Sequence, residues 1–274
     1  MSLFDGILLI SDIDGTLINK NFEIPQRNID AINYFVENGG SFTLATGRSL
    51  EATRPYSKKV NMSCPAIVFN GGALCDFHKN EIVCEDFLPE HAKGSILKML
   101  EAFPNIGAEV HSGSDLYVIS WSEKGRKHVS NENLTYIETT RDKVMDIKWH
   151  KVLYAASPEE LVPVKKFAQT IPCEGTHYIS TSEVYFEYFP VQVNKGRALT
   201  QLAEFLNISH DNTYAIGDFY NDVEMIKAAK VGAYVNSAPQ ELKATANYVT
   251  CSAEDGAVGD FIEYITKKIM EEKR

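Results

Sequence analysis

Hydrophobic and polar positions change rhythm twice along the chain. Residues 7–11 (Ile-Leu-Leu-Ile-Ser) form a continuous apolar run, the pattern of a strand covered on both faces in a parallel sheet. Pro25 opens a predicted helix with Ile29, Ile32 and Val36 on one face, and Gly39-Gly40 ends it. Residues 41–45 read as a second strand, 49–60 as a helix and 66–69 as a third strand. The alternation returns late, with helix 195–206, strand 213–216, helix 220–229, strand 231–235, helix 238–244, strand 247–250 and a final helix from about 256. Strand and helix in strict alternation predict an α/β domain on a doubly wound parallel sheet.

The middle of the chain has a different texture. Residues 107–120 read as two strands around Ser112-Gly113-Ser114, with further strands at 147–155, 176–181 and 184–190 and helices at 89–103 and 158–170. That pattern predicts an open α+β unit inserted into the sheet domain, dividing the chain into 1–82 with 190–274 and an insertion over 83–189. Two domains also suit 274 residues at about 150 residues per domain. No internal repeat or low-complexity stretch interrupts the series.

Composition narrows the partners. With 27 basic and 37 acidic residues the formal charge is −10, which argues against nonspecific binding to nucleic acid or to an anionic membrane. The five cysteines (64, 75, 84, 173, 251) form an odd, scattered set without a CxxC pair, so neither a disulfide framework nor a zinc site is expected. The first apolar run is only four residues long and runs straight into Asp12, too short for a signal peptide or membrane span. A soluble protein of the reducing cytoplasm is the expectation.

Sites in doubly wound sheets lie beyond the carboxyl ends of strands. Four predicted strand ends carry polar chemistry: Asp12-Ile13-Asp14-Gly15-Thr16, Thr46-Gly47-Arg48, Asn70-Gly71-Gly72, and Gly217-Asp218-Phe219-Tyr220-Asn221-Asp222. Asp12, Asp14, Asp218 and Asp222 in one crevice would raise one another's proton affinities unless a cation were present. Oxygen ligands without nearby His or Cys suit a hard ion, and Mg²⁺ is the one that accompanies phosphate substrates. A Thr hydroxyl, glycine amides and a Lys would serve the phosphate, the Lys being Lys195 at the start of helix 195–206. Hydrolysis of a phosphate monoester needs up to about 10²¹-fold acceleration, of which general acid–base catalysis supplies only about 10²–10⁴-fold. A covalent aspartyl phosphate, a metal and a fixed cation acting together fit that demand.

These motifs resemble the haloacid dehalogenase (HAD) superfamily, and within it the Cof-like sugar-phosphatase group with a class IIB cap. Asp12-Ile13-Asp14-Gly15-Thr16 is similar to the family's DxDGT motif, Thr46 to its second, Lys195 to its third, and Gly217-Asp218 with Asn221-Asp222 to its fourth. The resemblance spans essentially the whole chain and implies a Rossmann-like core with an inserted α+β cap that selects the leaving group. It implies a Mg²⁺-dependent phosphatase for a small phosphorylated metabolite, a sugar phosphate first, with pyridoxal phosphate or flavin mononucleotide as other substrates. Asp12 would be nucleophile and metal ligand. Asp14 would be the acid–base group, its backbone carbonyl on the metal. Thr46, Gly47, Arg48, Lys195 and Asn221 would hold the phosphoryl group. Asp218 would bind the metal, and Asp222 would bind it through water or orient Lys195. A phosphomutase of the phosphomannomutase type and a catalytically silent phosphometabolite-binding regulator are the alternatives; the pair Asp12 and Asp14 argues against the second.

Other features have plainer readings. Arg48 reads equally as a substrate contact or a structural salt bridge, and Asn70-Gly71-Gly72 as turn chemistry or ligand approach. The seven His residues lack metal spacing, and Lys124-Gly125-Arg126-Lys127-His128 reads as a solvated face. Trp121, Trp149 and the tyrosines of 184–190 read as core of the insertion. One departure stands out: Val235-Asn236-Ser237-Ala238 replaces the Met-Gly-Asn-Ala of many relatives, so contacts at 236–237 are expected to differ.

Overall fold

The computed structural model describes residues 2–272, so positions 1 and 273–274 of the two-segment domain assignment lie outside the described residues. The chain begins with β1 (Leu8–Ser11), α1 (Gln26–Glu37), β2 (Ser41–Leu44), α2 (Leu50–Ser57), β3 (Ala66–Val68), β4 (Ala73–Asp76) and β5 (Glu81–Glu85). Next come α3 (Glu90–Ala102), β6 (Gly107–Ser112), β7 (Asp115–Ser120), α4 (Glu123–Asn131), β8 (Ile137–Glu138) and α5 (Arg141–Val144). They are followed by β9 (Lys151–Ala155), α6 (Pro158–Ala168), β10 (Thr176–Ile179) and β11 (Tyr185–Pro190). The last stretch holds α7 (Lys195–Phe205), β12 (Thr213–Gly217), α8 (Val223–Ala228), β13 (Val231–Val235), α9 (Gln240–Lys243), β14 (Tyr248–Thr250) and α10 (Ala257–Glu272). Two compact units result: the chain up to Gly47 with Thr53–Cys84 and everything from Asn194, and Glu85–Val193 with Arg48–Ala52.

In the first unit, five parallel strands run in the order β14-β13-β12-β1-β2. β1 lies inside the sheet between β12 and β2, and its apolar run divides between two faces. Leu9 packs with Ile32, Phe35, Phe261 and Ile265, whereas Leu8 and Ile10 pack with Leu199, Leu202 and Ile226. Helices therefore cover both faces, as a continuous hydrophobic strand requires. The buried Asn28 side chain donates to the Leu17 carbonyl at 2.9 Å and accepts from the Gly259 amide at 2.8 Å, tying α1 to α10.

The expected third strand does not extend this sheet. β3 touches it through the isolated Ala45–Ile67 bridge and pairs antiparallel with β4, in a separate sheet completed by β5. Its three residues are cut short where Phe69, Asn70 and Gly71 all take positive φ and turn the chain back into β4. The expected helix 220–229 is likewise shorter, with a 3₁₀ turn at Tyr220–Asp222 before α8.

The second unit is a six-stranded, mainly antiparallel sheet, β10-β11-β9-β6-β7-β8. Val110, Val152, Tyr154, Phe186 and Tyr188 face Ile96, Leu100, Leu161 and Val164 in its core, with Trp149 fully buried; Trp121 is only half-buried. A capping box of Ser157 and Glu160, with Pro158 at the first turn, starts α6. The reading of residues 124–128 as a solvated face needs correction. Lys127 and Arg126 are exposed, but His128 is buried, its Nδ1 2.7 Å from Glu109 and its Nε2 3.5 Å from Glu132. Burial alone would lower the His128 pKa; Glu109 and Glu132 together raise it to about 10. Among the described residues no helix is long and apolar enough to cross a membrane.

Candidate active site

Adjacent strands β2, β1 and β12 deliver their carboxyl ends to one edge of the first unit's sheet. Asp12 leaves β1 with its amide donating to the Ile216 carbonyl at 3.0 Å, and Thr46 leaves β2 with its amide donating to the Ile67 carbonyl at 2.9 Å. Lys195 is the first residue of α7 because Asn194 caps that helix, its Oδ1 accepting from the Arg197 amide at 2.8 Å. The Lys195 ammonium is fully buried and donates to Asp12 Oδ1 and Asp222 Oδ1, both at 2.6 Å. Asp222 is fully buried too, and its Oδ2 accepts from the amides of Asp218 and Phe219 at 3.0 and 3.1 Å. Asp222, rather than Asp218, is thus the residue that shapes the turn after β12.

Ligand oxygens of Asp12, Asp218 and Asp222 lie within 4.8 Å of one another. Two unit charges at that spacing repel by about 3.5 kcal/mol at an effective dielectric of 20. Three carboxylates against one ammonium leave two excess negative charges. Burial pushes the Asp12 carboxyl well above the usual carboxylate range, Lys195 pulls it down, and Asp222, Asp218 and Asp14 push it further up. Burial and the Asp222 charge likewise lift Asp218 to about 7 against Lys195. Burial would lower the Lys195 pKa, but its two carboxylate partners raise it above the ordinary lysine value. An oxygen-only set with an excess charge of minus two fits a hard divalent cation such as Mg²⁺.

The remaining expected residues divide. Gly15 has φ +74°, and any side chain there would collide with the Asp218 carboxylate, so the loop after β1 requires glycine at that point. Asp14 is exposed, outside the three-carboxylate cluster, and borders a pocket of about 360 Å³ also lined by Lys20, Ser237 and Glu254. The departure at 236–237 therefore has a place: Ser237 lines that pocket, and the Asn236 carbonyl accepts from Lys243 at 2.7 Å. Thr46 is buried, and Asn221 donates to Asn70 Oδ1 at 3.1 Å. Arg48 falls in the second unit with its guanidinium 3.7 Å from Glu132, which supports the salt-bridge reading of that residue. Two contributions escaped the sequence reading: Glu132 as that partner, and the Asn70–Asn221 bond. Only the left-handed tendency of an Asn-Gly-Gly turn signalled the second.

The model of the family described as haloacid dehalogenase-like hydrolase matches residues 9–262. The Bacillus subtilis protein named 5-amino-6-(5-phospho-D-ribitylamino)uracil phosphatase YwtE is 29% identical over 294 residues, covering 93% of this chain and 96% of its own. The Escherichia coli pyridoxal phosphate phosphatase YbhA is 24% identical over 267 residues, covering 92% and 95%. The crystal structure of a haloacid dehalogenase-like hydrolase from Bacteroides thetaiotaomicron superposes with a TM-score of 0.85 at 26% identity, over 94% of this chain and 99% of that one. Family match, sheet order and the acidic strand ends agree, and the chain belongs to the haloacid dehalogenase-like hydrolases.

Proposed function

We propose that this phosphoric monoester hydrolase acts on a small phosphorylated metabolite, a sugar phosphate in first place, through an aspartyl phosphate on Asp12. The observation that carries the reading is the buried Asp12–Lys195–Asp222 chain with Asp218 beside it. Lys195 favours the ionised form of Asp12 against the raising effect of burial and holds it in one orientation, with an oxygen to attack phosphorus as the bond to the leaving oxygen breaks. Asp14, exposed at the pocket edge, gives its proton to the departing alkoxide. It then takes a proton from the water that attacks the aspartyl phosphate, and Asp12 and inorganic phosphate are released. Thr46, the Gly47 amide, Lys195 and Asn221 hold the phosphoryl oxygens. Asp12, Asp218 and the Asp14 backbone carbonyl would hold Mg²⁺, which when bound neutralises charge on the transferring phosphoryl group. Both Asp222 oxygens already serve Lys195 and the turn amides, which supports an orienting role for it.

The inserted unit is assigned the choice of leaving group, on the family resemblance. The names of the two relatives add a phosphorylated ribityl compound to the candidate substrates and agree with pyridoxal phosphate among them. The test is phosphate release with Mg²⁺ across sugar phosphates, nucleotides and phosphorylated vitamins, wild type beside Asp12→Asn. Turnover is expected to vanish in the variant while its melting temperature holds; continued hydrolysis by Asp12→Asn refutes the nucleophile.

A further inference from the structure

Asn70 lies in the turn between β3 and β4, 3% exposed, with φ 56° and ψ 25°. Asparagine is among the few side-chain-bearing residues that accept this left-handed geometry. Its backbone amide donates to the Thr46 carbonyl at 2.9 Å. Its Oδ1 accepts from Asn221 Nδ2 at 3.1 Å. Its carboxamide fills the space beside Gly47, where an added Cβ would stand 3.0 Å from Nδ2 and 3.1 Å from Oδ1. One residue thus touches Thr46, Gly47 and Asn221, which come from the ends of two different strands.

In the Asn70–Asn221 pair Asn221 donates and Asn70 accepts, so the oxygen end of the Asn70 carboxamide faces Asn221. The other end, Nδ2, is buried, and among the described residues nothing accepts from it. An asparagine selected only to make a turn has no reason to bury an unspent donor, which lowers stability. A side chain kept there for the placement of its neighbours has one. We infer that Asn70 is a positioning residue of the phosphoryl site, holding Asn221 and the Thr46-Gly47 turn in register with each other; the inference rests on the phosphatase reading above.

Asn70→Gly, Asn221→Ala and the double variant test it. Glycine suits the left-handed backbone and removes the unspent donor, so the melting temperature of Asn70→Gly is expected to equal or exceed the wild-type value. Its kcat is expected to fall on the order of 100-fold, the scale of a small misplacement at a reacting centre. KM should change by less than about threefold. The double variant should lose less than the product of the two single losses, because both changes remove the shared Asn70–Asn221 contact. Losses that add, an unchanged kcat, or activity lost together with melting temperature overturn the inference. Asn70→Asp keeps an acceptor for Asn221 but puts a charge beside Gly47, so inhibition by orthovanadate should weaken at least about tenfold; unchanged inhibition also overturns it. A wild-type enzyme that releases phosphate from no monoester would refute the phosphatase reading instead, and would do so before any Asn70 variant was compared.

Discussion

Replacing Lys195 with methionine removes the one ammonium between two buried carboxylates while keeping most of the side chain's volume. Asp12 and Asp222 each lose a 2.6 Å hydrogen bond, and neither is exposed enough for water to replace it. Removing one partner of a buried ion pair costs about 3–5 kcal/mol, because the remaining charge is left uncompensated. For a unit of this size each kcal/mol lowers the melting temperature by about 2–4 °C, so the loss should be about 6–20 °C at pH 7. The pH dependence has a definite sign. Asp12 already has a folded-state pKa above its unfolded value, and loss of Lys195 raises it further. A carboxyl so shifted binds its proton more tightly when folded, so the variant gains stability as pH falls toward about 4. The gap between variant and wild type should therefore narrow from pH 7 to pH 5. Calorimetry is the suitable assay, since both tryptophans belong to the other unit. A deficit under about 1 kcal/mol, or one unchanged between pH 5 and pH 8, would refute this account of the buried charges.

Two further results are expected. Mg²⁺ at about 100 times its dissociation constant should stabilise the wild type by about 2.7 kcal/mol; Asp218→Asn should abolish most of that shift, and an equal shift in both proteins would exclude Asp218 as a ligand. In the second unit, the His128 pKa of about 10 against 6.5 for the free side chain makes the protonated ring stabilising by a few kcal/mol. That contribution is complete below pH 6.5 and lost as pH rises toward 10, so His128→Gln should lie below the wild type in urea unfolding at pH 6 and approach it at pH 10. Tryptophan fluorescence reports this unit, and a difference independent of pH would contradict the ion pair.

What could be read from the sequence followed from burial and from local motifs. β1 announced itself because both of its faces are covered, and the four polar strand ends because each motif is compact. β5 gave no such signal: all five of its residues are exposed, so burial imposed no alternation. α4 was hidden for a related reason, since its run of Lys, Arg and Ser carries only Gly125, His128 and Val129 into the interior. The Glu109–His128 and Arg48–Glu132 pairs join positions far apart in sequence, and no local pattern announces such partners. β3 was recognised as a strand but placed in the wrong sheet, because three left-handed residues decide its pairing and their geometry is not written in hydrophobicity.

The separation of Asp12 from Lys195 by 183 residues has a consequence for synthesis on the ribosome. β1 emerges early, yet its neighbour β12 and both residues that neutralise or share its acid are translated only after the whole insertion. The insertion is nearly continuous in sequence and completes its own sheet while Asp12 still lacks a counter-ion. Translation order therefore leaves every product that ends before Lys195 without the cation that pairs with Asp12 in the folded unit.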